Sequence, residues 1–234
     1  MNTKSILSII ALAAGLQLAT AGDITGTVTL KGTAPAEKPI TPLKEDPTCG
    51  KFHPDMPTTH FFVVGANNGL GDTIVMLKGV GKSSGESAAP VVVDQKGCLY
   101  DPQIFAVQTG QKIIIKNSDP VMHNVHVDPT VDGNKNLNAP QMQGASDITA
   151  SFDKPETFLK FKCDVHPWMF AWVTIVDSPY YAVTDKDGKF TIKNVPAGDY
   201  TIVALHRKAA PTGVEQKVSV TADGGKSDFT LEVK

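Results

Sequence analysis

Residues 163–169 carry a thiol, an imidazole and a thioether at every third position, in Cys163, His166 and Met169. They follow residues 157–162, whose pattern is typical of a β-strand, so Cys163 is expected at a strand end. Pro167 favours a tight loop that folds His166 and Met169 back toward the thiol. A thiolate, an imidazole and a weak thioether are three of the four ligands of a blue-copper site.

The missing ligand is a second imidazole, and His123 lies upstream in a segment rich in potential ligands. We therefore predict a copper site with Cys163, His123 and His166 in a trigonal plane and Met169 as the long axial ligand. Zinc is disfavoured because a thioether is a poor ligand for it. Because the protein fills all four positions, we expect electron transfer and no catalysis.

A second metal site remains open. His53, Met56 and His60 follow Cys49 in a segment that partly repeats the main motif, and they could bind another copper ion. The alternative is that Cys49 is oxidised to a disulfide and that the two histidines are ordinary loop residues.

Three cysteines are present, an odd number, so an oxidising compartment would leave one of them unpaired. Pairing Cys49 with Cys98 leaves Cys163, the cysteine that has other potential ligands at regular spacing. The cysteine count and the ligand motif therefore agree.

The N-terminus has the pattern of a secretory signal. Lys4 precedes an apolar run over residues 6–18, and small residues at 19–21 predict cleavage before Gly22. The alternative is an uncleaved anchor helix, but the run is short for a membrane span. No later stretch is apolar enough to span a bilayer. We expect a mature chain that is periplasmic or secreted.

Composition narrows the function classes. The formal net charge is −2 and no basic block occurs, which argues against nucleic acid and anionic membranes as partners. The 234 residues, 41% of them hydrophobic, suffice for one large or two small globular domains. The chain has no Gly-rich phosphate loop, nucleophile elbow or His-x-x-Glu zinc motif, so we expect no enzyme.

The fold is predicted to be all-β, because short runs of alternating and β-branched residues are separated by Gly, Asn, Asp and Pro turns. Residues 128–143 are expected to form an irregular loop, and His206 is expected at the surface. The predicted strands cover residues 24–30, 73–77, 91–93, 104–108, 112–116, 124–127, 148–152, 157–163, 171–176, 190–193, 200–205, 215–221 and 228–233.

The ligand segments resemble those of the cupredoxins, the blue-copper β-sandwiches that include amicyanin, plastocyanin and pseudoazurin. The resemblance implies that His123 is the upstream ligand, and that Asn124 fastens the two ligand loops and bonds the Cys163 sulfur through its N–H. Amicyanin has proline where this chain has Val165, whose retained N–H is expected to stabilise the reduced state. We expect His126 on the same strand face as His123, where it could compete as ligand, but the family pattern places it outside the ligand set.

Residues 180–203 resemble the carboxypeptidase regulatory-like module, an immunoglobulin-like sandwich, in their Thr-Asp-x-x-Gly-x-Phe hairpin and Pro-x-Gly-x-Tyr turn. The opening Gly-x-Val-x-Leu strand of that module occurs at residues 26–30. We therefore predict a signal peptide at 1–21 and a copper sandwich at 90–177, inserted into a module formed by 22–89 and 178–234. The alternative is that residues 23–89 add strands to the copper domain.

Three functions remain open. The first is a one-electron carrier, whose partners would be an amine dehydrogenase or a c-type cytochrome by analogy with amicyanin. The second is a copper-handling protein that buffers or delivers Cu(I). The third is a docking or adhesion module with structural copper. For a carrier, we expect Pro167, Trp168 and Phe170 to form an apolar rim around His166, where a partner docks.

Overall fold

The computed structural model describes residues 20–232, and most of its regular structure is β-strand. The first strands are β1 (Ala21–Lys31), β2 (Ile74–Lys78), β3 (Val91–Lys96), β4 (Leu99–Asp101), β5 (Ile104–Gln108), β6 (Ile113–Asn117), β7 (His123–Val127), β8 (Leu137–Gln141) and β9 (Ile148–Ala150). The others are β10 (Glu156–Lys162), β11 (Phe170–Val176), β12 (Tyr181–Val183), β13 (Lys189–Pro196), β14 (Gly198–His206), β15 (Ala210–Val220), β16 (Gly225–Lys226) and β17 (Phe229–Glu232).

Within residues 20–232, helical structure is confined to the segment between β1 and β2. It consists of the helix α1 (Thr41–Glu45) and two short 3₁₀ helices, Cys49–Phe52 and Ala66–Asn68. Within the described residues, no helix is both long and apolar enough for a membrane crossing. The predicted signal peptide lies outside the described residues, apart from positions 20 and 21.

The first sandwich joins the two ends of the chain. One sheet has the order β13-β1-β16, with β17 also paired to β1, and the other has the order β12-β2-β14-β15. Along β1, the buried side chains Ile24, Val28 and Leu30 are separated by exposed or partly exposed residues, as the period-two pattern predicts. Their core cluster also contains Ile192 and Leu231, so residues near both ends share one core.

The second sandwich is formed by the middle of the chain. Its sheets have the orders β5-β11-β10-β7-β8 and β4-β3-β6-β9. Aromatic rings fill the space between them: Phe105, Phe152 and Tyr100 all meet Phe161 edge-on, with centroids 5.7 to 6.4 Å apart. Cys163 belongs to this core, so the candidate ligands lie at one end of a tightly packed aromatic interior.

The two sandwiches pack directly against each other. Ile74, Val203 and Leu205 of the first meet Ala106 of β5 in a buried cluster. The prediction of an all-β fold with two packed sandwiches is therefore confirmed. The proposed domain bounds, at residues 89/90 and 177/178, stay a prediction.

The predicted irregular loop at 128–143 is wrong in part, because β8 lies within it. β8 pairs with β7 along its whole length, from His123 opposite Gln141 to Val127 opposite Leu137. It is the edge strand of its sheet, where Pro140 is tolerated because one side of the strand needs no donor. Because β8 contains a proline and polar residues, its sequence lacks the usual strand pattern. The strand nevertheless forms the hydrogen-bonded pair with β7 beside His123.

The expectation that His206 lies at the surface is also wrong. Its side chain is only 2% exposed at the end of β14, and its ring stacks on Phe62 with centroids 5.3 Å apart. Its Nδ1 accepts the backbone N–H of Ala209 at 3.0 Å, so a neutral ring serves as a turn acceptor. Burial lowers the pKa of His206 to about 4, and the nearby Arg207 charge adds to this effect.

His206 predicts a specific pH dependence of stability. A histidine pKa that is lower in the folded state means that the unfolded chain binds the proton first. The free energy of unfolding should therefore be undiminished above pH 6.5 and fall by up to about 3 kcal/mol as the pH drops from 6.5 to 4. Urea unfolding at several pH values measures this, with His206→Gln expected to flatten the slope. The control His53→Gln should keep the wild-type slope, and an unchanged slope in His206→Gln would show that the assignment is wrong.

Candidate metal centre

Cys163 follows β10 directly and starts a short, closed loop. Its N–H donates to Met169 O at 3.1 Å, and the N–H of Met169 donates to His166 O at 2.9 Å. These two bonds return the chain to β11, which begins at Phe170. Cys163 is 2% exposed and is the one cysteine of the described chain outside a disulfide.

Three groups of His, Cys, Asp or Glu among residues 20–232 bring their ligand atoms within 4.8 Å of one another. Two of these groups include Cys98, whose sulfur is bonded to Cys49 and cannot serve as a thiolate. The third group is His123, Cys163 and His166, and all three residues are buried. It brings together three of the residues that the spacing singled out.

The two imidazoles present the same nitrogen to each other. His123 Nδ1 and His166 Nδ1 are 3.0 Å apart, and His166 Nδ1 is 3.6 Å from the Cys163 sulfur. His123 is the first residue of β7. This strand pairs with β10, with Val127 opposite Phe161 and His126 opposite Lys162. Neighbouring strands thus hold the upstream ring against the loop.

Asp119 sets the tautomer of His123. Its carboxylate accepts from His123 Nε2 at 2.8 Å and from the N–H groups of Gly97 and Cys98 at 2.6 and 2.7 Å. Burial alone would raise the pKa of Asp119, but these hydrogen bonds outweigh it and lower the pKa. An ionised carboxylate only accepts, so the proton sits on His123 Nε2. In the neutral ring the Nδ1 lone pair is therefore left for a metal ion. Without a metal, burial alone would lower the pKa of His123, but Asp119 and Cys163 outweigh it and raise the pKa, so a proton on Nδ1 then faces the sulfur.

The sulfur of Cys163 is surrounded by donors. The N–H of Asn124 points at it from 3.4 Å. Burial alone would raise the thiol pKa, but hydrogen bonds from His123, Asn124 and the backbone N–H groups of His166 and Val165 lower the pKa. The surroundings of Cys163 thus favour the thiolate, the form that binds metals.

Asn124 also joins the upstream strand to the loop. Its Oδ1 accepts the N–H of Asp164 at 2.6 Å, and its Nδ2 donates to Asn138 Oδ1 at 2.5 Å. One side chain thus links β7, β8 and the residue that follows Cys163. Met169 is fully buried in the same core cluster as Cys163, as a fourth, weak ligand would require.

A cap covers the outer side of His166, and it consists of residues 41–52, which include α1 and the first 3₁₀ helix. The cap is tied to the second sandwich by the Cys49–Cys98 disulfide, so that predicted pairing is confirmed. Asp46 of the cap acts on the His166 charge, and Trp168 Nε1 donates to Cys98 O at 3.2 Å. His166 is only 8% exposed as a result.

The cap changes the expected apolar rim around His166. Trp168 lies beside His166 with ring centroids 5.3 Å apart, but it packs against the buried cluster of the cap. Pro167 remains exposed. Phe170 lies elsewhere, because its ring stacks on Phe61 with centroids 6.2 Å apart. The three residues therefore do not form one open patch over His166.

His126 was expected on the same strand face as His123, and this is wrong. The two residues are separated by an odd number of positions, so strand alternation turns their side chains to opposite faces. The structure pairs His126 Nδ1 with Asp164 Oδ2 at 2.6 Å near the surface. Of the two histidines of β7, strand alternation therefore places only His123 on the inward face.

The possible second site is not assembled in the structure. Cys49 is in the disulfide, and His53 Nε2 bonds Gly97 O at 2.7 Å. Across residues 20–232, no cluster of potential ligands includes His53 or His60. Met56 is exposed.

Asp119 and the cap were missed by the sequence reasoning. A signal for Asp119 does exist, because its N–H bonds Asn117 Oδ1 at 3.0 Å in an Asx turn of the Asn-Ser-Asp-Pro type. That turn directs the carboxylate toward the residue four positions later. No comparable local pattern marks the cap, which depends on the long-range disulfide.

Comparisons with known proteins match parts of the chain. A family model described as polysaccharide lyase family 4, domain II, matches residues 173–228. No curated protein matches the chain.

Among solved structures, a copper-containing nitrite reductase from Thermus scotoductus SA-01 is similar over 38% of this chain, with 20% identity and a TM-score of 0.34. The chain spans only 23% of that reductase. A copper(I) form of an amicyanin variant is 22% identical over 43% of this chain and 97% of its own, with a TM-score of 0.33. A purple cupredoxin from Nitrosopumilus maritimus is 22% identical over 36% of this chain and 98% of its own, with a TM-score of 0.30.

The donors around the sulfur predict how the metal-free thiol titrates. Replacing Val165 by proline removes one N–H that stabilises the thiolate, so the pKa of Cys163 should rise in Val165→Pro. Val165→Ala keeps the N–H and should leave the pKa where it is. Ultraviolet absorbance of the thiolate against pH measures both variants, with Cys163→Ser as the blank. An unchanged pKa in Val165→Pro, or an equal rise in Val165→Ala, would contradict this account of the sulfur.

Proposed function

We propose that this protein binds one copper ion in a type 1 (blue) site and acts as a one-electron carrier. The observation that carries the proposal is the buried Cys163 sulfur facing the Nδ1 atoms of His123 and His166. One thiolate, two imidazoles and a weak thioether form the ligand set of electron-transfer copper sites, so Cys163, His123, His166 and Met169 would hold the ion. When bound, copper would supply a Cu(II)/Cu(I) couple.

The fit of the residues to copper rests on the chemistry of the donors. The tautomer imposed by Asp119 leaves the lone pair of His123 Nδ1 directed into the site. The lowered pKa of Cys163, in which hydrogen bonds from His123 and Asn124 outweigh burial, favours the thiolate. The thiolate and the thioether are soft ligands, which favours copper over magnesium, calcium or manganese.

Rigidity supports an electron carrier over a copper-handling protein. The ligand loop is closed by its own backbone bonds, Asn124 fastens it to β7, and the disulfide holds a cap over His166. A centre held in this way changes little when an electron arrives. The same cap hinders the ligand exchange that delivery of Cu(I) would need. Copper handling is the second candidate function, because the same ligands could also hold copper in a protein that buffers or delivers it.

The backbone donors around the sulfur influence the reduction potential. The N–H groups of Asn124 and Val165 direct the positive ends of their dipoles toward the thiolate. They draw electron density away from the metal and so favour its reduced state. We therefore infer a higher potential than the same site would have with proline at position 165.

The rest of the proposal concerns the setting of the protein. With all four ligand positions supplied by the chain, no place is left for a substrate, so we propose no enzymatic activity. Residues 1–21 would direct export to the periplasm or the exterior. The donor and acceptor would be exported redox proteins, such as an amine dehydrogenase or a c-type cytochrome, by analogy with amicyanin.

Visible and electron paramagnetic resonance spectra of the copper-loaded protein test this function. We expect one copper per chain and a strong thiolate-to-Cu(II) band at roughly 600 nm. His123→Ala and Cys163→Ser should each abolish the band, because each removes an equatorial ligand. The matched control His126→Ala should keep it, because His126 lies on the opposite strand face.

Two results would contradict the proposed electron-carrier function. Equal loss of the band in His126→Ala and His123→Ala would reject the ligand assignment. Copper held only as Cu(I), with no band after addition of an oxidant, would favour the handling protein instead.

A further inference from the structure

The usual exit for an electron from such a centre is an exposed ligand imidazole, and here that side is closed. His166 is 8% exposed because the cap with Asp46 and the Cys49–Cys98 disulfide lies over it. His123 is fully buried behind Asp119. Direct contact of a partner with either imidazole is therefore restricted, which favours an approach over another surface.

Three partly exposed aromatic rings lie beside the end of the ligand loop. Phe170 is the first residue after Met169, and its ring lies 6.2 Å from Phe61 and 6.5 Å from Trp172. Phe170 and Trp172 alternate with the buried Ala171 and Val173, so they occupy the outer face of β11. Phe61 reaches this face from the segment before β2.

Three cations cover these rings. Arg207 Cζ is 4.9 Å from the centroid of Phe61 and 4.7 Å from that of Trp172. Lys208 Nζ is 4.4 Å from Phe61, and Lys160 Nζ is 5.5 Å from Phe170. The contact between Arg207 and Trp172 joins the two sandwiches, because Arg207 follows β14 of the first and Trp172 lies on β11 of the second.

The positive charge of this face is balanced only in part, because one carboxylate, Glu37, acts on two of the three cations. In the stretch from 20 to 232, none of Lys160, Arg207 and Lys208 forms an ion pair. Glu37 is the acidic group that acts on Arg207 and Lys208, and it is already bonded to Thr59 Oγ1 and to the N–H of Phe62 at 2.7 Å. This excess of cations occurs on a chain whose formal net charge is −2.

A short route through the backbone links this face to the sulfur. Cys163 N–H donates to Met169 O at 3.1 Å, and the next ladder pair is Lys162 with Phe170. The path therefore runs from Sγ through one residue and one hydrogen bond to the peptide that carries the Phe170 ring. The route through His166 would have to cross the cap.

We propose that this cationic aromatic face, made of six side chains, is the docking surface for an acidic redox protein. The six are Phe61, Lys160, Phe170, Trp172, Arg207 and Lys208. The proposal rests on the electron-carrier function and adds to it the surface used and the charge of the partner. The excess of lysine and arginine charge would steer an acidic surface toward the rings, and Phe170 connects that surface to Cys163 through the Met169 peptide and its hydrogen bond.

Binding of hexacyanochromate(III), a paramagnetic trianion, to the copper-free protein tests the surface independently of the metal. Amide signals should broaden most around Lys160, Phe170 and Lys208, and the effect should disappear in the double variant Lys160→Gln/Lys208→Gln. Arg207 is kept in that variant because it lies between two rings. Broadening centred on residues 165–168, or spread equally over all lysines, would overturn the proposal.

Kinetics with copper-loaded protein complete the test. Hexacyanoferrate(III) takes one electron from Cu(I), which yields Cu(II) and hexacyanoferrate(II). At about 10 mM ionic strength, Lys160→Gln/Lys208→Gln should slow this reaction roughly fivefold to tenfold. The cation tris(phenanthroline)cobalt(III) should not be slowed by this change.

The control pair Lys112→Gln/Lys193→Gln removes the same charge from exposed lysines elsewhere on the chain and should change the anion rate less than about twofold. If both double variants lost rate equally, the effect would come from net charge alone and the docking face would be rejected. Absence of copper binding would instead reject the carrier function, while the result with hexacyanochromate(III) would still decide whether the face binds anions.

Discussion

A sulfur anion in a protein interior must be compensated by donors, cations or a metal, and this requirement organises the structure around Cys163. The thiol is almost completely buried, at the end of an aromatic core. Two imidazoles and the backbone N–H of Asn124 surround it. Because these donors come from two distant segments, the strands that carry them must be held in fixed register.

Three covalent or hydrogen-bonded ties hold that register. Asn124 links β7 to the residue after Cys163, and Asp119 links His123 to the backbone at Gly97 and Cys98. The disulfide then joins Cys98 to Cys49 of the cap over His166. The first sandwich contributes through the packed junction at β5 and through Arg207, whose charge lies between aromatic rings of both halves.

Local patterns predicted the strands and the loop that begins at Cys163, because alternation and ligand spacing are properties of short segments. They failed where a long-range partner decides the outcome. Pro140 is compatible with an edge strand, and His206 is buried by a turn whose N–H groups it accepts. The carboxylate of Asp119 could be recognised only once its ring partner was in place. The placement of His126 was an error of strand parity that the sequence itself could have corrected.

Crystals of the copper-loaded protein, measured at the copper absorption edge, test the central claim most directly. The account predicts a single anomalous peak bounded by the Cys163 sulfur and the Nδ1 atoms of His123 and His166. A peak beside His53 or His60 instead, or copper-loaded crystals with no peak at Cys163, would contradict it.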